Sequence, residues 1–234
     1  SKKIKYINII NDLYKKNYIG KVEKECKKFM RVYESEVYFY KMFCISLIKQ
    51  NKILEAQENL LKFIDLFPKN KDLKLTLMNL YRNSGNFDKA ESISREIIKE
   101  YPNEIMAYQN LGIILAQKNE IDESIATLCK ALELNHNDHN TLNNLALVYS
   151  KIGNYEKSID LYRKALSINR LFPEGLRNLA SDLQKTGNFR IDLKKEEFVD
   201  QYDEAIELVD EAIKLKPNYV DAYLLKSSLL VNQN

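Results

Sequence analysis

An all-α fold of stacked helix pairs is the architecture this sequence predicts, on three observations. The first is the stretch from Asn143 to Ile168, which reads as two amphipathic helices around a tight turn. Leu145, Ala146, Tyr149 and Ile152 share one helical face, and Ile159, Tyr162, Ala165, Leu166 and Ile168 share another. The second is recurrence. Shifted back by 34 residues, Leu145, Tyr149, Gly153, Tyr155 and Ala165 become Leu111, Leu115, Asn119, Ile121 and Ala131. Shifted forward, the first four become Leu179, Leu183, Gly187 and Phe189. The third is the turn itself, which carries Asn17, Asn51, Gly85, Asn119, Gly153 and Gly187 in successive units. Only the two residue types that best tolerate left-handed backbone occur there, so the constraint lies on the backbone. One helix pair cannot hide its apolar faces alone; the units must stack on their neighbours.

Taken in order, the units run 3–36, 37–70, 71–104, 105–138, 139–172 and 173–219, with a partial or capping helix at 220–234. The chain is thus one quasi-linear domain. The first unit is diverged, with Ile9 and Leu13 holding its apolar positions. The first three units carry large residues at unit position 8 (Ile10, Cys44, Met78) and position 27 (Phe29, Phe63, Ile97). The next three carry Gly112, Ala146, Ala180 and Ala131, Ala165, Ala212. Small residues let helices approach closely, so wider spacing is expected in the N-terminal half. The sixth unit holds a 13-residue insertion, because both Phe189 and Tyr202 fit position 17. The expectation is a short loop near Arg190–Leu193, then a second helix that starts early and projects beyond its neighbours.

A helix–turn–helix period of 34 residues resembles the tetratricopeptide repeat. The family's small residue at position 8 matches Gly112, Ala146 and Ala180. Its large residue at position 4 matches Tyr108, Leu142 and Leu176. Ser124, Ser158 and Ala205 stand at the small position 20, and Pro68, Pro102 and Pro217 at position 32. The resemblance implies an α-solenoid, a right-handed superhelix whose first helices line a concave groove. In this family that groove binds protein or peptide ligands, chiefly through positions 2, 5, 6, 9, 12 and 13.

Composition narrows the function. No apolar run approaches the ~20 residues a membrane span needs. Cys26, Cys44 and Cys129 are odd in number and scattered, which suits small core side chains in a reducing, cytoplasmic setting. The first residue is Ser rather than Met, so an upstream targeting segment stays open. Residues 1–36 carry ten Lys/Arg against five Asp/Glu, and residues 173–234 carry eight against twelve. Such a gradient biases partner orientation, or it is drift of solvated faces.

No catalytic signature is visible: no glycine-rich phosphate loop, no nucleophile elbow, no zinc pattern. His136 and His139 form an H-x-x-H pair at a junction, too few ligands for a metal. Neither cofactor nor metal is expected. Lys15, Lys49, Lys151 and Lys185 recur at position 13, but the stripe is too sparse for nucleic acid.

The groove positions remain. Position 6 reads Asn8, Met42, Thr76, Asn110, Asn144, Asn178, and the last three form a column of amides. It resembles the asparagine ladder of O-GlcNAc transferase arrays, which holds peptide backbone. Two readings are open: the amides contact a ligand, or they brace adjacent helices. The chaperone-tail carboxylate clamp is absent, because Glu174 or Asp221 falls where a lysine is needed. In the N-terminal half, Ile4, Ile7, Tyr14, Tyr38, Met42, Ile45 and Ile48 are expected either as an exposed apolar patch or as core. The candidate binding residues are Asn110, Asn144, Asn178, Lys151 and Lys185, with Tyr38, Lys41, Met42 and Ile45. The sequence predicts a non-enzymatic peptide-binding scaffold, or else the recruiting segment of a larger glycosyl-, sulfo- or methyltransferase. Self-association and a downstream catalytic domain stay open.

Overall fold

The computed structural model describes residues 2–186, 189–192 and 197–233 of the chain. Among these, thirteen α-helices alternate with short turns. The first unit contains α1 (Lys2–Lys15), α2 (Ile19–Val32), α3 (Val37–Lys49), α4 (Ile53–Leu66), α5 (Lys71–Asn83) and α6 (Phe87–Glu100). The helix α7 (Ile105–Gln117) follows, and within it the chain divides into two compact units, 1–114 and 115–234. The second unit continues with α8 (Ile121–Leu134), α9 (His139–Lys151), α10 (Tyr155–Ile168), α11 (Pro173–Thr186), α12 (Gln201–Leu215) and α13 (Val220–Gln233).

The turn between the two helices of a repeat has one geometry. Asn17, Asn51, Gly85, Asn119 and Gly153 all have positive φ, between 59° and 76°. The residue after each donates its N–H five residues back: Tyr18 to Leu13, Lys52 to Leu47, Asn86 to Tyr81, Glu120 to Leu115 and Asn154 to Tyr149, at 2.8–2.9 Å. This 6→1 bond across a left-handed residue satisfies a carbonyl that the helix end would otherwise orphan. Gly187 lies outside the described residues. Helix starts are less uniform; Asn70, Asp138 and Asn154 accept from the backbone N–H three residues on.

The repeat positions are the core. Position 20 (Val22, Ala56, Ala90, Ser124, Ser158, Ala205) is fully buried in all six repeats. Ile10, Cys44 and Met78 are fully buried at position 8, and Phe29, Phe63 and Ile97 fill position 27 of the first unit. Stacked and edge-on rings add to that core, with Tyr6 on Phe29 at 4.3 Å and Tyr40 against Phe63 at 4.8 Å.

The insertion departs from expectation. It forms no early helix: β1 (Phe189–Asp192) and β2 (Glu197–Asp200) pair antiparallel, with Phe189 opposite Asp200 and Asp192 opposite Glu197. The helix α12 begins only at Gln201 and is 15 residues long, against 14 for α10, so it does not project. The alternation in Phe189-Arg190-Ile191-Asp192 and in Glu197-Phe198-Val199-Asp200 has the period-2 signature of strands. Glu197 and Asp200, which could equally open a helix, stand in that alternation. Leu193 and Glu196 lie outside the described residues.

Candidate functional site

In the second unit the first helices α9 and α11 lie side by side. Asn140, Asn144, Leu147 and Lys151 fall at i, i+4, i+7 and i+11 on α9, one stripe of that helix. Leu147 is 44 % exposed and Lys151 is exposed, its ammonium donating to the Ala116 carbonyl. Asn144 is half-buried, and its amide makes no hydrogen bond to the described residues. On α11, Lys185 is exposed and reaches the Asp182 carboxylate at 2.9 Å and the Ser150 hydroxyl at 3.3 Å. Its ammonium also lies 5.3 Å from the centre of the Tyr155 ring.

Asn178 is placed differently from Asn144. It is buried, its Nδ2 donates to Asn143 Oδ1 at 3.0 Å, and its Oδ1 is buried without a partner. This amide joins α11 to α9. In the first unit Asn110 is likewise buried. It accepts from the Arg82 guanidinium at 2.6 Å and donates to the Met106 carbonyl at 2.8 Å. Burial pushes the Arg82 pKa down, and its other nitrogen donates to Asn83 Oδ1 at 3.4 Å. Of the three amides, Asn144 is the uncommitted one.

The N-terminal candidates are mostly used internally. Met42 is buried, and Ile7, Tyr14, Tyr38, Ile45 and Ile48 pack against the core. Ile4, at 57 % exposure, is the clearly exposed member, so these residues do not form an open apolar patch. Tyr38 donates its hydroxyl to Asn11 at 2.8 Å, and burial pushes its pKa up to about 12. Lys41 pairs with Asp72 at 2.8 Å.

Two polar centres were not anticipated. Asp182 is almost fully buried and accepts from Ser150 at 2.7 Å, from Ser158 and from Lys185. Its signal was present: it stands at position 10, where the three preceding units have Leu80, Ile114 and Val148. Lys74, buried at position 4, reaches Glu96 at 2.7 Å and Glu100 at 2.9 Å. Both tie a first helix to a second helix. The His pair is split: His139 Nε2 lies 3.1 Å from the Asn169 amide and its ring packs edge-on against Phe172, while His136 is exposed.

Comparison with known proteins agrees with this geometry. Models described as tetratricopeptide repeat match residues 47–117 and 139–170, and one described as TPR repeat matches 112–153. No curated protein sequence matches the chain. A tetratricopeptide repeat protein from Parabacteroides merdae superposes with a TM-score of 0.72 at 17% identity, covering 98% of this chain and 86% of that one. The APC/C hetero-tetramer Cut9–Hcn1 gives 0.75 at 17% identity over 97% of this chain, which spans only 42% of that one. YrrB, described as a TPR protein with an unusual peptide-binding site, gives 0.51 at 16% identity over 86% and 97%. No helix among the described residues is long and apolar enough to cross a membrane. The helix pairs, the left-handed turn at one repeat position and the continuous matches from 47 to 170 establish that this chain carries tandem tetratricopeptide repeats.

Proposed function

We propose that the chain is a non-enzymatic scaffold that holds an extended peptide against the first helices of its second unit. The observation that carries this reading is Asn144. Its amide offers two donors and an acceptor, makes no bond within the described protein, and stands between Asn140 and the exposed Leu147 and Lys151. A peptide backbone supplies the matching acceptor and donor, and Leu147 supplies an apolar contact beside them. Lys151 adds positive charge at one end of the stripe, with Lys185 close by though paired with Asp182, favouring an acidic or carboxylate-bearing segment there. Cut9–Hcn1, described as a hetero-tetramer, and YrrB, with its described peptide site, support binding as the use of this fold. Fold likeness does not name the ligand.

The test is a pair of variants. Partners are first captured with the whole protein and reduced to a binding peptide. Asn144→Ala should then weaken that peptide by about 3- to 10-fold, the loss of a net ~0.5–1.5 kcal/mol per hydrogen bond, and leave the melting temperature unchanged. Asn110→Ala should do the reverse: it removes the nearer acceptor of the Arg82 guanidinium, costs ~1.5–3 kcal/mol of stability, and keeps affinity. Unchanged affinity in Asn144→Ala would remove the basis for the proposal.

A further inference from the structure

A second surface lies away from the first-helix face. On α3, Tyr38, Lys41 and Ile45 share one side of the helix, and Tyr40 and Phe43 point to the opposite side. There, α2 and α4 leave between them a cleft of about 830 Å³. Tyr40 and Phe43 form its floor, Met30 lies on the α2 wall, and Phe63, Leu66 and Phe67 close the α4 side. The rings are already ordered: Tyr40 sits edge-on to Phe63 at 4.8 Å and to Phe67 at 5.1 Å. Leu66 remains 64 % exposed. Glu23 ties α2 to Gln50 at 2.8 Å and to Lys52 at 3.0 Å beyond one end. No side-chain hydrogen bond or ion pair joins α2 to α4 across the cleft among the described residues. In the second unit, by contrast, the corresponding cleft between α10 and α12 is about 400 Å³ and is bridged by Arg163 and Glu204 at 2.9 Å.

The charge on the α2 wall selects an occupant. Lys27 and Arg31 line the cleft, and Lys21, Lys24, Lys28 and Arg31 fall at i, i+3, i+7 and i+10, an exposed basic stripe along the outer face beside it. The two acidic residues of α2 are already paired: Glu23 with Lys27 and Lys52, and Glu25 with Lys28 at 3.8 Å. Lys24 and Arg31 have no carboxylate partner among the described residues. Glu34 is the carboxylate that lines the cleft, at its turn end. Each wall helix has 14 residues, about 21 Å of groove, which matches three to four turns of a guest helix.

We infer that this cleft docks an acidic amphipathic helix of a partner protein. Its large apolar side chains sit over Tyr40, Phe63 and Leu66, and its carboxylates face Arg31 at the cleft and Lys24 on the rim beside it. The surface is distinct from the Asn144 face, so the two can be tested separately.

The experiment is selection of displayed helical peptides of about 16 residues on the whole chain. Affinities of the synthesised winners are then measured against Leu66→Glu, Arg31→Glu and Asn144→Ala. Leu66 and Arg31 are exposed, so the first two variants should keep wild-type circular dichroism and melting. Winners should carry bulky apolar residues at i, i+3 or i+4, and i+7, flanked by Asp or Glu. Affinity should fall at least about tenfold in Leu66→Glu and several-fold in Arg31→Glu, weaken with salt, and hold in Asn144→Ala. Winners that are basic or indifferent to both cleft substitutions, or no enrichment at all, would overturn the inference. So would binding of phosphatidylserine vesicles, lost on the same substitutions, with no helical peptide retained.

Discussion

At the scale of the residue, the turn position governs. Gly153 has φ of +76°, and a side chain built there meets no atom within 4 Å. The cost of any substitution is therefore backbone strain and not collision. Gly153→Val should lose ~1–2 kcal/mol or more, since a β-branched residue is least able to adopt left-handed backbone. Asn119 occupies the same conformation at +68°. Asn119→Gly should be neutral or mildly stabilising, because relief of strain offsets the greater freedom of the unfolded chain. Chemical denaturation of both variants beside wild type checks the pair. Equal midpoints for Gly153→Val and wild type would contradict the assignment. The Gly/Asn alternation was legible in sequence because backbone conformation is a one-residue property.

At the scale of the element, the hairpin and α2 make separate predictions. In sequence, removing Phe189–Gln201, 13 residues, joins Gly187-Asn188 to Tyr202 and restores the Gly153-Asn154-Tyr155 pattern. Tyr202 is buried, as position 17 requires. The deletion should keep the helical dichroism and shift the melting temperature little, because loop length enters stability only logarithmically. A collapse of the helical signal would show that the hairpin is part of the fold. On α2, Lys27 bonds the Glu23 carboxylate and, with Gln50 and Lys52, holds its pKa down at about 2 against partial burial. A folded value below the unfolded one means that the stabilisation is complete above about 4.5 and disappears as the pH falls toward 2. Solvent screening limits it to about 1 kcal/mol. Glu23→Gln should therefore melt ~2–4 °C lower at neutral pH, with the gap to wild type closing in acid.

At the scale of the whole molecule, the three cysteines report on folding. Cys26 and Cys44 are fully buried in the first unit, where burial pushes both thiols up to about 12, and Cys129 is exposed in the second. The thiolate attacks an aromatic disulfide reagent and displaces its aromatic thiolate, so one thiol should react promptly in the native protein and all three in denaturant. Slow labelling of the other two should track opening of the first unit. Prompt reaction of all three would mean that the first unit is loosely packed.

The sequence by itself determined the period, the helix pairs, the left-handed turns and the buried small positions. Each repeats at fixed spacing, and repetition averages out local exceptions. The insertion was misread because a dozen residues offer no repeat to compare, and its acidic residues suit a helix start as well as the faces of a strand pair. Only the tertiary structure decided which amides are free. Asn110, Asn144 and Asn178 hold one register position, yet their bonds depend on what the neighbouring helix presents: Arg82 beside Asn110, Asn143 beside Asn178, and no side-chain partner for Asn144. The same holds for the aromatic cleft, where Tyr40 and Phe63 come from different helices and their rings meet only when both pack on one core. A helix face follows from its own residues, whereas a side chain's partners belong to the helix packed against it.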